Sequence, residues 1–230
     1  MRLAFTTRFG HDDELIFAQQ LGADAVVVRL ELGSPSDTDL APVAHRVRVA
    51  GLQLAGMPQQ SVQWSDSLDR ALVAAEDAGV DTLLCAPPTQ ASVNLSDQLS
   101  SVVATASATG VKVLLDSARL LPEHLDLLPA GNVQVELAID GATAAADVAA
   151  GVRSGSVAAL RFEGEGRPLG EAAVDVPQVL AADDDDGFDG WLRAGASAPL
   201  SDDDDWRPKG AANDLGYLRA IVQSLGSPAR

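Results

Sequence analysis

The chain reads as an α/β protein, a single (β/α)8 TIM barrel, on three observations. Short apolar runs alternate with helix-period segments from end to end, the pattern of parallel strands joined by crossover helices. Eight such runs can be counted, and several are nearly unbroken in Val, Leu and Ala, as strands buried on both faces are. No segment is left over for a second unit, so residues 1–230 form one domain, a length that a single α/β barrel reaches.

The expected strands are Arg2–Thr7, Ala25–Leu32, Leu52–Met57, Thr82–Ala86, Lys112–Asp116, Val133–Ile139, Val157–Phe162 and Gly190–Ala194. Between them, Leu68, Leu72 and Ala75 recur at helical spacing, as do Leu95, Leu99 and Val102, and Leu215, Leu218, Val222 and Leu225 mark a closing helix. Gly51, Gly79, Gly110 and Gly131 fall where helices should stop, a position that favours a residue free to adopt positive φ. Pro122 stands where a fifth helix should begin. An open doubly wound sheet is the competing architecture. No Gly-x-Gly-x-x-Gly follows the first strand, so a dinucleotide fold has little support. Connections are short apart from Gly164–Gly170 and Asp202–Gly210.

Composition narrows the class further. The formal charge is −17, lysine occurs only at Lys112 and Lys209, and acidic runs stand at Asp183–Asp186 and Asp202–Asp205. Such a surface suits a high-salt cytoplasm, where the Debye length falls to about 3 Å at 1 M and self-repulsion is suppressed. It disfavours nucleic-acid phosphates as partners. The Asp runs match no EF-hand spacing and read as solvated loops. No apolar run reaches the roughly 18 residues needed to span a bilayer. The opening MRLAFTTRFG lacks the apolar core of a secretory signal, so a cytoplasmic location without membrane attachment is expected. The lone Cys85 reads as a small buried apolar residue.

A barrel of this kind places its site at the C-terminal ends of the strands. Thr7, Arg8 and His11 follow the first strand, and Arg29 and Glu31 close the second. Met57, Cys85 and Asp116 stand at or near the ends of the third, fourth and fifth. Asp140 follows the sixth, and Arg161 and Glu163 close the seventh. The eighth offers Arg193, Ala194 and Gly195, with no carboxylate. Arg8, Arg29, Arg161 and Arg167 form a set of guanidinium forks suited to carboxylate or phosphate. The loop Glu163-Gly164-Glu165-Gly166-Arg167 is glycine-rich where barrels often hold phosphate. His11 is the one histidine near this mouth, a candidate proton carrier; His45 and His124 fall on outer helices.

Residues 155–195, with their strand, glycine-broken loop, helix and second strand opened by Phe188-Asp189-Gly190, resemble the last two strands of the xylose-isomerase-like superfamily of sugar isomerases and epimerases. Pro168-Leu169-Gly170-Glu171 is close to that superfamily's phrasing. Gly216-Tyr217-Leu218-Arg219, with the opening strand and helix, resembles its mannonate dehydratase branch. The likeness runs over nearly the whole chain and is specific in residues 155–225.

What the resemblance implies is a small sugar or sugar acid as substrate and a divalent cation, Mn, Mg or Zn, held by carboxylates and usually histidine. Asp116 stands where the family's fifth strand ends in a glutamate ligand, and Asp140 matches an aspartate after the sixth. Ala159, Leu160 and Arg161 occupy the stretch where a histidine is usual, and Gly195 takes the place of a glutamate on the eighth. The dehydratase branch's histidine and cysteine ligands have no counterpart here. The expected site is therefore Asp116 and Asp140 for metal, Glu163 and His11 for proton transfer, and Arg29, Arg161 and Arg167 for substrate. The alternative is a non-catalytic barrel that has lost its metal site and serves as a binding or assembly protein. The superfamily's abasic-DNA nucleases need many histidine and carboxylate ligands, and three histidines do not supply them.

Overall fold

The computed structural model describes residues 1–8, 12–29, 40–51, 53–56, 58–59, 64–85, 95–116, 131–185, 187–195 and 206–225. The strands are β1 (Arg2–Arg8), β2 (Ala25–Arg29), β3 (Gln53–Gly56), β4 (Pro58–Gln59), β5 (Thr82–Cys85), β6 (Lys112–Asp116), β7 (Val133–Ile139), β8 (Val157–Phe162) and β9 (Trp191–Ala194). The helices are α1 (Asp12–Gln20), α2 (Ala41–Val49), α3 (Trp64–Ala78), α4 (Leu95–Thr109), α5 (Ala145–Arg153), α6 (Val176–Asp185) and α7 (Trp206–Leu225), with a 3-10 turn at Leu169–Glu171.

All strand pairs are parallel, in the order β3-β2-β1-β9-β8-β7-β6-β5-β4. The result is a curled parallel sheet flanked by helices. Its two outermost strands, β3 and β4, are separated in the chain by residue 57 alone, which lies outside the described residues. The expected third strand, Leu52–Met57, is found as β3, and the short β4 just beyond it was not expected. β3 follows β2 with a register shift between Val26 and Val27, while β4 pairs with β5 through Pro58 and Leu84. A register shift of this kind bends a strand locally. The other expected strands are found within a residue of their ends, the second as far as Arg29. Leu30–Leu32 and the Pro122 helix start lie outside the described residues.

Side chains of a strand alternate between faces, and here the alternation separates two cores. The larger packs Leu3, Val26, Val28, Leu83, Cys85, Val113, Leu115, Leu160, Phe162 and Leu192 against the helices. Leu68, Leu72 and Ala75 of α3, Val102 of α4 and Leu215 and Leu218 of α7 are its buried helical partners, at the expected positions. The smaller core holds Ala4, Ala25, Val27, Leu84, Leu114 and Ala159 on the inner face, with Trp191 against it and the Arg2 guanidinium over the indole. Two residues further along the same strands stand Thr6, Asp116, Arg161 and Arg193. The inner face therefore turns from apolar to charged toward the strand C-termini.

Two helix ends show why glycine was needed. Gly79 has φ +69°; its N–H bonds the Glu76 carbonyl and the Val80 N–H reaches back to Ala75. Gly22 repeats the pattern after α1, with φ +70° and bonds to Gln19 and, from Ala23, to Ala18. These paired bonds satisfy the orphan carbonyls of the last turn. Among the described residues no helix is long and apolar enough to cross a membrane.

Candidate functional site: a charged cluster at the strand ends

Five charged side chains from four adjacent strands meet on the inner face. Arg161 of β8 donates from Nε to Glu163 Oε1 at 2.5 Å and from Nη1 to Glu136 Oε2 at 3.1 Å. Its Nη2 stands 3.1 Å from Asp116 Oδ1. Arg193 of β9 grips Glu136 with both edges of its fork, Nε to Oε1 at 2.9 Å and Nη2 to Oε2 at 2.6 Å. Its Nη1 donates to Thr6 Oγ1 of β1 at 2.9 Å.

Register explains the convergence. Asp116 pairs with Glu136, and Arg161 pairs with Arg193. Ala138, the register partner of Arg161 on β7, keeps its side of the site small. Glu163 lies just past β8, and its carboxylate rests on Gly195, where a Cβ would stand 2.1 Å from Oε2. The missing side chain on the last strand is what makes room for it.

Exposure rises from floor to rim: 3% for the Glu136 side chain, 7% for Arg193, 12% for Arg161, 22% for Asp116 and 31% for Glu163. Burial works against the charge on Arg161, but the bond to Asp116 and the fields of Glu136, Asp116 and Glu163 more than offset it, and its pKa is raised. Its charge is therefore permanent at any ordinary pH. Two guanidinium groups face three carboxylates, which leaves one negative charge over.

Three of the expected site residues, Asp116, Arg161 and Glu163, come together here. Asp140 does something else: its Oδ1 accepts from the Ala142 N–H and the Thr143 hydroxyl, both at 2.9 Å, inside the turn that leads to α5. The Thr143 hydroxyl bond, followed by the Ala142 N–H, holds its pKa below the usual aspartate value. Arg167 is exposed at the end of a tight turn in which its N–H bonds the Gly164 carbonyl. Glu165 and Gly166 take positive φ there, +50° and +82°. Arg29 pairs in register with Arg8 at the ends of β2 and β1, with both side chains outside the described residues. His11, Glu31 and His124 lie outside them as well, and His45 is exposed on α2. Cys85 faces the helices, and burial pushes its thiol up to about 12, in keeping with a small apolar core residue.

Glu136 is the residue sequence reasoning missed. Its signal was available: a lone acid inside Val133–Ile139, between apolar neighbours, at the inward position of a parallel strand. Arg193 was noted only as a strand end lacking a carboxylate.

As holders of a divalent cation these residues do not fit. Each of the three converging carboxylates faces an N–H or cationic edge of Arg161, a group with no lone pair to give a metal. Among the described residues no set of three or more His, Cys, Asp or Glu is placed to hold a metal ion.

No protein-family profile and no curated protein matches the chain by sequence. Solved structures do resemble it. D-psicose 3-epimerase from Clostridium cellulolyticum H10, solved with D-tagatose, superposes with TM-score 0.72 at 14% identity, over 96% of this chain and 99% of the other. The 3-keto-D-glucoside 4-epimerase of E. coli gives 0.68 at 14% identity over 96% and 99%. A xylose isomerase domain protein from Alicyclobacillus acidocaldarius gives 0.68 at 15% identity over 97% and 99%. The chain has the fold of the xylose-isomerase-like TIM barrels and spans nearly the whole length of these neighbours.

Proposed function

We propose that the chain binds a small neutral sugar or polyol at the C-terminal mouth of its sheet, as a divergent member of the sugar isomerase and epimerase barrels. The observation that carries this is the state of the cluster. Arg161 has its Nε, Nη1 and Nη2 all turned to carboxylates, while Glu163 is the most open acid. A sugar acid or sugar phosphate would have to displace a carboxylate from Arg161 and sit beside the surplus negative charge. A neutral polyol instead offers hydroxyl donors to Glu163 and Asp116, the match a carboxylate-lined rim favours. Two of the neighbours named above are epimerases of uncharged sugars by their names, which agrees with this choice.

In this reading Glu163, the most open acid of the cluster, accepts the hydroxyl or carbon-bound proton. A second reading, binding without turnover, is favoured by the pairing of Glu163 to Arg161, which already occupies one of its carboxylate oxygens.

Calorimetric titration with neutral ketohexoses and polyols, against sugar acids and sugar phosphates, tests the proposal. Neutral sugars should bind, and Glu163→Gln should weaken them about tenfold, as the loss of one charged hydrogen bond does. A preference for the anionic set, or no binding of any neutral sugar, sinks it. Exchange of substrate carbon-bound hydrogen in D2O separates turnover from binding alone.

A further inference from the structure

We infer that the guanidinium of Arg161 is the resident cation of the mouth, a positioning group that holds Asp116, Glu136 and Glu163 converged with no divalent ion among them. Three carboxylates drawn to one point repel one another, and without a cation one of them takes up a proton. Here each has a partner on a different nitrogen of one planar group, with N···O separations of 3.1, 3.1 and 2.5 Å. A divalent metal would need lone pairs of these same oxygens at roughly 2.0–2.2 Å, where the N–H hydrogens of Arg161 already point. The two occupants exclude each other.

Position reinforces the assignment. Arg161 sits on β8 between the strand that carries Glu136 and the strand that carries Arg193, and Asp116 reaches it from one strand further. Arg193 does not duplicate it, because its fork serves Glu136 alone and its remaining bond goes to Thr6. Gly195 completes the arrangement by leaving Glu163 free to fold over the last strand and close the third side of the guanidinium. The inference is independent of which ligand the mouth takes, so a failure to find a sugar does not touch it.

The test is metal uptake and thermal unfolding of the full chain and its Arg161 variants, with Mn2+ followed by electron paramagnetic resonance. Wild type should hold no stoichiometric Mn, Mg or Zn, and a chelator should leave its unfolding midpoint unchanged. Arg161→Gln keeps bulk but no charge; its midpoint should fall, and millimolar Mn2+ should restore it with one ion bound per chain. Adding Asp116→Asn to that variant should abolish both uptake and recovery. Arg161→Lys should remain indifferent to metal. A wild-type chain with one bound metal, or one destabilised by the chelator, overturns the inference. So does Arg161→Gln with an unchanged midpoint or no Mn2+ uptake. Should Arg161→Gln fail to fold with or without Mn2+, Arg161→Lys decides: folding without metal upholds the inference, and a need for Mn2+ or failure to fold overturns it.

Discussion

Gly195 and Glu163 illustrate how one absent side chain sets another's position. A Cβ at 195 would stand 2.1 Å from Glu163 Oε2, closer than any real contact, yet the obstacle is the end of a flexible chain. Gly195→Ala should therefore push Glu163 off Arg161 at a cost of about 1–3 kcal/mol, the usual range for overpacking. In a Glu163→Ala background most of that penalty should vanish, because the clashing group is gone. Urea unfolding of the four proteins gives the coupling; additive effects would mean the two residues do not share the space. Asp140 gives a second residue-scale expectation. Its pKa is lowered chiefly by the Thr143 hydroxyl bond, so the turn favours the ionised form. That contribution is fully present above the ordinary aspartate value of about 3.9 and is lost as pH falls through the lowered one. Thr143→Val should move the Asp140 titration, followed by NMR, back up toward the ordinary value. An unmoved titration would show that the hydroxyl does not set it.

At the scale of elements, the phrases that carried the sequence resemblance turn out to be structural fastenings. Asp214 of α7, fully buried, accepts the Leu169 N–H at 2.8 Å and so caps the 3-10 turn of Pro168-Leu169-Gly170-Glu171. Tyr217 lies against Gly170, where a Cβ would come within 3.5 Å of the ring. Arg219 donates to the Gly22 carbonyl at the end of α1. These contacts latch the closing helix over the first and last units of the sheet. Asp214→Ala leaves the Leu169 amide buried without this acceptor, which should cost about 1–3 kcal/mol. Hydrogen exchange of the Leu169 amide should speed up with it, and unchanged protection would show the latch to be unimportant. The acidic run gives α6 the opposite character: Asp183–Asp185 stand in its last turn with no basic residue there, where the helix dipole disfavours negative charge.

For the whole molecule, the cluster ties β6, β7, β8, β9 and β1 together through Asp116, Glu136, Arg161, Arg193 and Thr6. Buried pairs of this kind rarely add much stability over an apolar core, but breaking one partner leaves a charge stranded. They therefore fix geometry more than they raise stability. The surface works against the fold in dilute buffer. A net charge of −17 and acids at an unfavourable helix end both become less costly when salt screens them. The unfolding midpoint should rise between dilute buffer and molar KCl, most steeply at low salt. An equal midpoint in both would remove salt adaptation as the reason for the composition.

Strand positions, the helical core faces and the parallel α/β class were determined by the sequence itself, because they follow from local periodicity. Two-sided Val and Leu runs have no stable place except in a sheet covered on both faces, and Leu68, Leu72 and Ala75 can face only one way. Asp116, Arg161 and Glu163 were also legible as strand-end residues. That they share one cluster, that Asp140 turns to its own loop, and that Glu136 and Arg193 belong to the site were decided by tertiary structure alone. Those facts depend on register between strands far apart in the chain, where a shift of one residue sends a side chain to the other face. No local pattern encodes that register. It is set when Asp116 pairs with Glu136 and Arg161 with Arg193, with Glu163 seated over the bare backbone of Gly195.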